Sequence, residues 1–144
     1  MIKLTKMIGI IERCIIQKRT KDQKDIYVSS CQNPYFYILN RKGGLTQEEL
    51  SKDLHINKSN VTRNIQSLSD NGYVKVLRDE KDKRVNRVYL DEKGKEVFPI
   101  IKASTKKCNE LLLDGFTEEE VKELDKLLSK LVINAERMCN DENI

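Results

Sequence analysis

The chain has 144 residues, of which 38% are hydrophobic and 35% charged, with only 2 Pro and 6 Gly. That composition supports one modest core, or a small domain extended by helices that need a partner, and it excludes a disordered or low-complexity chain. The net charge of +4 is unevenly spread, with 7 basic and 3 acidic groups in residues 1–40, 12 and 9 in residues 41–94, and 8 and 11 in residues 95–144; such a weak excess does not by itself mark a nucleic-acid partner.

Leu4, Met7, Ile8, Ile11 and Ile15 recur at spacings of three and four, which predicts an amphipathic helix over about residues 3–20. The polar stretch Thr20–Asp25 ends it, and Ile26–Cys31 reads equally as helix or as extended chain. Asn33-Pro34 then predicts a helix start, with Asn33 as N-cap and Pro34 at the first helical position. Tyr35, Phe36, Ile38 and Leu39 form its apolar face, and Gly43-Gly44 stops it. Thr46 and Glu49 fit a capping box with Leu45 as a hydrophobic staple, so a short helix runs from there to about Leu54. After the tight connection His55-Ile56-Asn57, Asn57 caps a second helix, whose buried side is Val61, Ile65 and Leu68 and which Asn71-Gly72 closes. Two short helices joined this way make a helix-turn-helix.

Tyr73–Leu77 and Arg84–Leu90 alternate as strands, and between them Arg78–Lys83 is almost wholly charged. A charged hairpin directly after a helix-turn-helix is a wing. Two helices complete the chain. One runs from about Asp91 to Leu113, with Val97, Ile101, Cys108 and Leu111 inward. The other starts at a Thr117–Glu120 capping box and carries the stripe Val121, Leu124, Leu127/Leu128, Leu131 and Ala135. The expected fold is therefore mainly α with a small β-hairpin wing. Residues 1–31 form an N-terminal dimerisation helix and connection, 32–91 the winged helix-turn-helix, and 92–144 C-terminal dimerisation helices.

The second helix of the motif carries Lys58, Ser59, Asn60, Thr62, Arg63 and Gln66 away from its apolar face, and no Asp or Glu occurs from Lys58 to Leu68. Arg can bond guanine through two donors, Asn and Gln can do so for adenine, and Lys, Ser and Thr reach phosphates. A polar face on a single helix is ordinarily just solvated. The absence of acids and the place at the N-terminal end of a recognition helix, which enters the major groove, favour double-stranded DNA. Lys83, Arg84 and Arg87, with Lys81, cluster at or beside the hairpin tip, where basic side chains reach a minor groove; Asp82 is placed to hold Arg84.

The order of elements and the local sequence resemble the MarR family across nearly the whole chain. Gly44–Leu50 is similar to the family's GLTQxEL, Asn57–Arg63 to its SxSTVTR, Leu68–Val74 to its LExxGLV, Asp82–Arg84 to its DxR and Leu90–Gly94 to its LTxxG. Asn60 stands where Thr is usual, and Lys83 where an Arg is usual at the wing. The resemblance implies a homodimer formed by the first and last helices. It also implies repression or activation at an inverted repeat, relieved by a small phenolic or lipophilic ligand or by oxidation. A two-fold dimer would also bury the two terminal stripes, which a small winged helix cannot easily cover alone.

Competing readings are weaker. G-x-S-x-G, phosphate-loop and metal-ligand spacings are all absent, and the only histidine is His55, so the reading is of no enzyme, no metal and no cofactor. Cys14, near the basic Arg13 and Lys18, is the candidate thiol of a redox-sensing regulator; free cysteines are more often buried packing residues, as expected also for Cys108 and Cys139. A winged helix used only for protein contacts would need apolar or acidic residues on the recognition face, which carries neither. The absence of a long apolar run and of a signal-peptide core predicts a cytoplasmic protein without a membrane partner.

Overall fold

The computed structural model describes residues 1–140. Among them are helices α1 (Leu4–Asp22), α2 (Asn33–Arg41), α3 (Gln47–Leu54), α4 (Lys58–Asp70), α5 (Glu92–Leu112) and α6 (Glu118–Asn140), a 3-10 turn at Ser30–Gln32, and strands β1 (Val74–Arg78) and β2 (Asn86–Leu90). The strands pair antiparallel, Val74 opposite Leu90 and Arg78 opposite Asn86. This is the mainly helical fold with a hairpin wing that the sequence predicts. The chain divides into two compact units, Met1–Cys108 and a second that begins at Asn109.

The first unit contains the core. Tyr35, Phe36, Ile38 and Leu39 of α2 meet Leu50 of α3 and Val61, Ile65 and Leu68 of α4. Tyr73, Val74, Val88 and Leu90 of the wing root and Phe98 and Ile101 of α5 close the cluster. Phe36 meets the Tyr73 ring edge-on at 6.0 Å and stacks on Phe98 at 6.5 Å, so aromatic contacts join α2, the wing root and α5. Cys108 packs inward as expected, but Leu111 is exposed, because the inward stripe of α5 ends where the first unit ends.

Several expected details shift. Asn33 is not a cap: it is the first residue of α2, follows Gln32, and places Pro34 second. Its buried amide pairs reciprocally with that of Gln23, at 2.9 Å and 2.8 Å, and the Gln23 amide also donates to the Val28 carbonyl at 3.1 Å. Each buried amide thereby finds partners that water would otherwise supply. β1 runs one residue later than expected, and β2 starts at Asn86, leaving Arg84 and Val85 in the connecting loop. Val76 alternates in sequence with Val74, yet only Val74 is buried, since the outer hairpin leaves the body.

No residue of α1 or α6 is buried within the single described chain. Met7, Ile8 and Ile11 on α1, and Leu127, Leu128 and Val132 on α6, are exposed. Within the first unit α1 is tied at its C-terminal end: Asp22, paired with Lys18, accepts a 2.8 Å hydrogen bond from Ser104 of α5. Those two partners, Lys18 first, hold the Asp22 carboxyl below its ordinary pKa. No described helix is long and apolar enough to cross a membrane.

α5 starts against the wing root, where the Asp91 N–H donates to the Tyr73 carbonyl at 2.9 Å. Gly94 lies so close that a Cβ there would sit 2.3 Å from that carbonyl and 2.7 Å from Leu90. Neither the backbone nor a buried leucine can retreat cheaply. Gly94→Ala is therefore expected to destabilise the protein by about 3 kcal/mol, the upper range for overpacking, as a lowered midpoint in urea unfolding.

Candidate nucleic-acid interface

The motif is set by local chemistry before packing. Thr46 accepts the Glu49 N–H at 3.1 Å and opens α3; Asn57 accepts the Asn60 N–H at 2.9 Å and opens α4. Between them His55 takes a left-handed conformation, φ 55° and ψ 42°, and the Ser51 hydroxyl donates to the Ile56 carbonyl at 2.6 Å. Val61, Ile65 and Leu68 are buried, so the opposite face of α4 is turned outward by their packing.

On that face Lys58, Ser59, Thr62, Arg63 and Gln66 are exposed and Asn60 is half-buried. The first turn of α4 contains no acid, so nothing on it opposes an approaching phosphate. Each long side chain has a nearby brace. Lys58 donates to Glu48 of α3 at 3.2 Å, and Gln66 to Asp70 at 2.8 Å. Arg63 donates to the Asn60 carbonyl oxygen, which gives the unusual Asn60 a partner within its own helix. The Thr62 hydroxyl lies within hydrogen-bond reach of Gln47 at 2.9 Å and of the Lys58 carbonyl at 3.0 Å.

Gln47, Glu48 and Asn64 were not singled out by the sequence. Asn64 donates to the Tyr35 hydroxyl at 3.2 Å and lies 3.4 Å from the Gln32 amide, fixing the side of α4 next to α2. Gln47 and Glu48 fall within the Gly44–Leu50 motif without a role read for them, and the only sequence signal of Asn64 is a polar residue at the margin of an apolar stripe.

The wing separates its basic residues into two kinds. Lys83 and Arg84 are exposed in the loop, the Arg84 side chain at 90%. Asp82 grips Arg84 through both carboxylate oxygens, at 3.1 and 3.2 Å, and also accepts its backbone N–H at 3.1 Å. The Arg84 guanidinium holds the Asp82 carboxyl below the usual range. Arg87 lies instead at the wing root, half-buried, and donates to Asp79 at 3.0 Å and to the Gly44 carbonyl at 2.9 Å.

Cys14, Cys31 and Cys139 are exposed in the single chain, so Cys14 and Cys139 do not pack inward as expected. Met7, Ile8 and Ile11 of the apolar stripe of α1 are exposed there as well, while Leu4 and Ile15 are half-buried. Among the described residues no His, Cys, Asp and Glu group is arranged to hold a metal.

The sequence model of the MarR family matches residues 35–85, which span α2 to the wing loop. The chain is 29% identical over 130 residues to the uncharacterized HTH-type transcriptional regulator YybA of Bacillus subtilis, covering 90% of this chain and 87% of that one. Among solved structures, a MarR transcriptional regulator from Methanosarcina mazei Go1 is 34% identical, with a TM-score of 0.86 over 94% of this chain and 97% of that one. A MarR family regulator from Listeria monocytogenes, solved with a 26mer DNA, is 26% identical with a TM-score of 0.86, covering 96% of this chain and 93% of its own.

The caps are accessible to a direct test. Asn57→Ala leaves the Asn60 N–H without its acceptor, so it should lower stability by about 1 kcal/mol. Thermal unfolding measures that loss, and DNA affinity should fall with it because α4 frays at the end carrying Lys58 and Ser59.

Proposed function

The chain belongs to the MarR family and is a DNA-binding transcriptional regulator; we propose that it acts as a homodimer on an inverted repeat, as a repressor released by a small ligand. The observation that carries the reading is the outward, acid-free N-terminal face of α4, backed by three buried apolar residues and capped by Asn57. In this reading the N-terminal half of α4 enters the major groove. Arg63, Asn60 and Gln66 meet base edges, while Lys58, Ser59 and Thr62 meet phosphates. Lys83 and Arg84 reach the adjacent minor groove, with Arg84 presented by Asp82.

The exposed apolar faces of α1 and α6 support the dimer. Six or more large aliphatic side chains on two helices, uncovered in the single chain, are costly to leave in water. A two-fold axis that covers them would set two copies of α4 about one DNA turn apart, roughly 34 Å, and match an operator of two-fold symmetry.

Titration of the purified protein against its own promoter fragment and an unrelated fragment, over a salt series, tests the reading. Promoter-selective binding with a steep salt slope is the expected result. Equal affinity for both fragments would remove sequence-specific control. Arg63→Ala should weaken promoter binding by on the order of 1–3 kcal/mol and unrelated DNA much less; an equal loss on both would make Arg63 a phosphate contact. Sedimentation should give twice the chain mass, and Leu128→Glu should shift it toward the monomer.

A further inference from the structure

The wing root contains a chain of contacts that runs from the start of the helix-turn-helix to the wing tip. Arg87 of β2 donates through Nη1 to the Gly44 carbonyl, just ahead of α3, at 2.9 Å, and through Nε to Asp79 Oδ1 at 3.0 Å. Asp79 Oδ2 accepts the backbone N–H of Asp82 at 3.0 Å. Asp82 in turn holds the Arg84 guanidinium through both oxygens. Every link is charge-assisted or involves a backbone group, and the arginine at the root is far less exposed than the one at the tip, 34% against 90% for their side chains.

The backbone around this chain is already constrained. The Val88 N–H donates to the Leu45 carbonyl at 2.8 Å, and its carbonyl accepts the Gly44 N–H at 2.9 Å. Gly44 has φ +79°, and a Cβ on it would meet the Tyr89 hydroxyl at 2.9 Å. The Gly44 carbonyl is thus a fixed acceptor, so a side chain bonded to it is referenced to the helix-turn-helix rather than to the loop. Besides those side-chain links, the loop beyond Arg78 has two backbone turn contacts, Asp79 N–H to Val85 carbonyl at 2.8 Å and Val85 N–H to Asp82 carbonyl at 3.0 Å.

We propose that Arg87 and Asp79 are positioning residues for DNA binding: they relay the orientation of the helix-turn-helix to Arg84 and do not themselves touch DNA. Both functional groups of the relay are engaged, with Arg87 spanning two acceptors and Asp79 serving two donors. Two of the five Arg87 donors are thereby committed and its side chain is only 34% exposed, which holds it at the wing root while Arg84 extends into solvent. The proposal rests on the reading of the wing as a DNA contact made by Arg84.

A double-mutant cycle separates the possibilities, with affinity for the promoter fragment measured over a salt series. Arg84→Ala and Arg87→Ala should each weaken binding on the order of tenfold, the scale of one well-placed arginine. In the Arg84→Ala background Arg87→Ala should add less than about twofold, within the scatter of independent sites, and the salt slope should not fall further. Combined with Arg63→Ala, the loss from Arg87→Ala should instead be additive. Arg87→Lys, which keeps the charge but loses the fork, should behave as Arg87→Ala.

Additive losses with Arg84→Ala and a further fall of about 0.9 in salt slope would overturn the proposal and make Arg87 a phosphate contact. Full activity of Arg87→Lys would also overturn it. If Arg87→Ala does not fold, Asp79→Asn carries the same cycle, since it breaks the relay from the other side. An unchanged affinity for Arg84→Ala would refute the wing reading, and the relay with it. A harmful Arg84→Ala beside a silent Arg87→Ala would refute the relay alone.

Discussion

β2 is hydrogen-bonded on both edges. One edge pairs with β1, and Val88 turns its own N–H and carbonyl the other way, onto Leu45 and Gly44. Leu45 and Val88 are both buried, so this junction is at once a backbone bridge and a part of the core. It fixes the residue pair immediately ahead of α3 to the strand that leads into α5. The helix-turn-helix and the wing are for that reason one body rather than two neighbours on a string. Breaking the junction would expose two backbone groups in an apolar setting, a larger loss than that of a solvent-facing hydrogen bond. The close contact of Gly94 with the Tyr73 carbonyl seals the same region from the other side.

From that junction the outward polar face of α4 follows. The apolar residues of α4 point into the core that the junction closes, which leaves Lys58, Ser59, Thr62, Arg63 and Gln66 facing solvent. The braces on that surface are weak individually, since exposed ion pairs such as Lys58–Glu48 contribute little to stability. Their effect is to limit the rotamers open to each side chain, and hence the conformational entropy it would lose on the proposed DNA contact. Asp82 does the same for Arg84, at a place where the loop has few other contacts.

Outside this body the chain carries a different kind of information. α1 and α6 are capped or tied at one end, yet no residue of either is fully buried in the single chain. Thr117 and Glu120 complete both halves of a capping box, at 3.1 and 3.0 Å, for a helix on which Leu127 and Leu128 are exposed. Good local signals beside exposed apolar faces fit the proposed homodimer. Cys14 lies exposed on the first of these helices.

The sequence by itself determined the elements, their order and most of their ends. Caps at Thr46, Asn57 and Thr117, the stops at Gly43-Gly44 and Gly72, and the apolar stripes all act within one or two turns of chain, so their physics is local and readable. The outward face of α4 was legible for the same reason, because three inward residues fix a helix's rotation. Tertiary structure alone decided the partners of polar side chains. Asn33 reads as a cap from its neighbours, but Gln23, ten residues away, offers two well-aimed hydrogen bonds in a dry setting, which outweighs one at a helix end. Arg87 reads as one of four basic residues near a hairpin tip, and only the approach of Gly44, forty-three residues earlier, separates it from Arg84. A long polar side chain binds whatever acceptor the fold brings within reach, and contacts between residues so far apart in sequence leave no periodic trace in the chain.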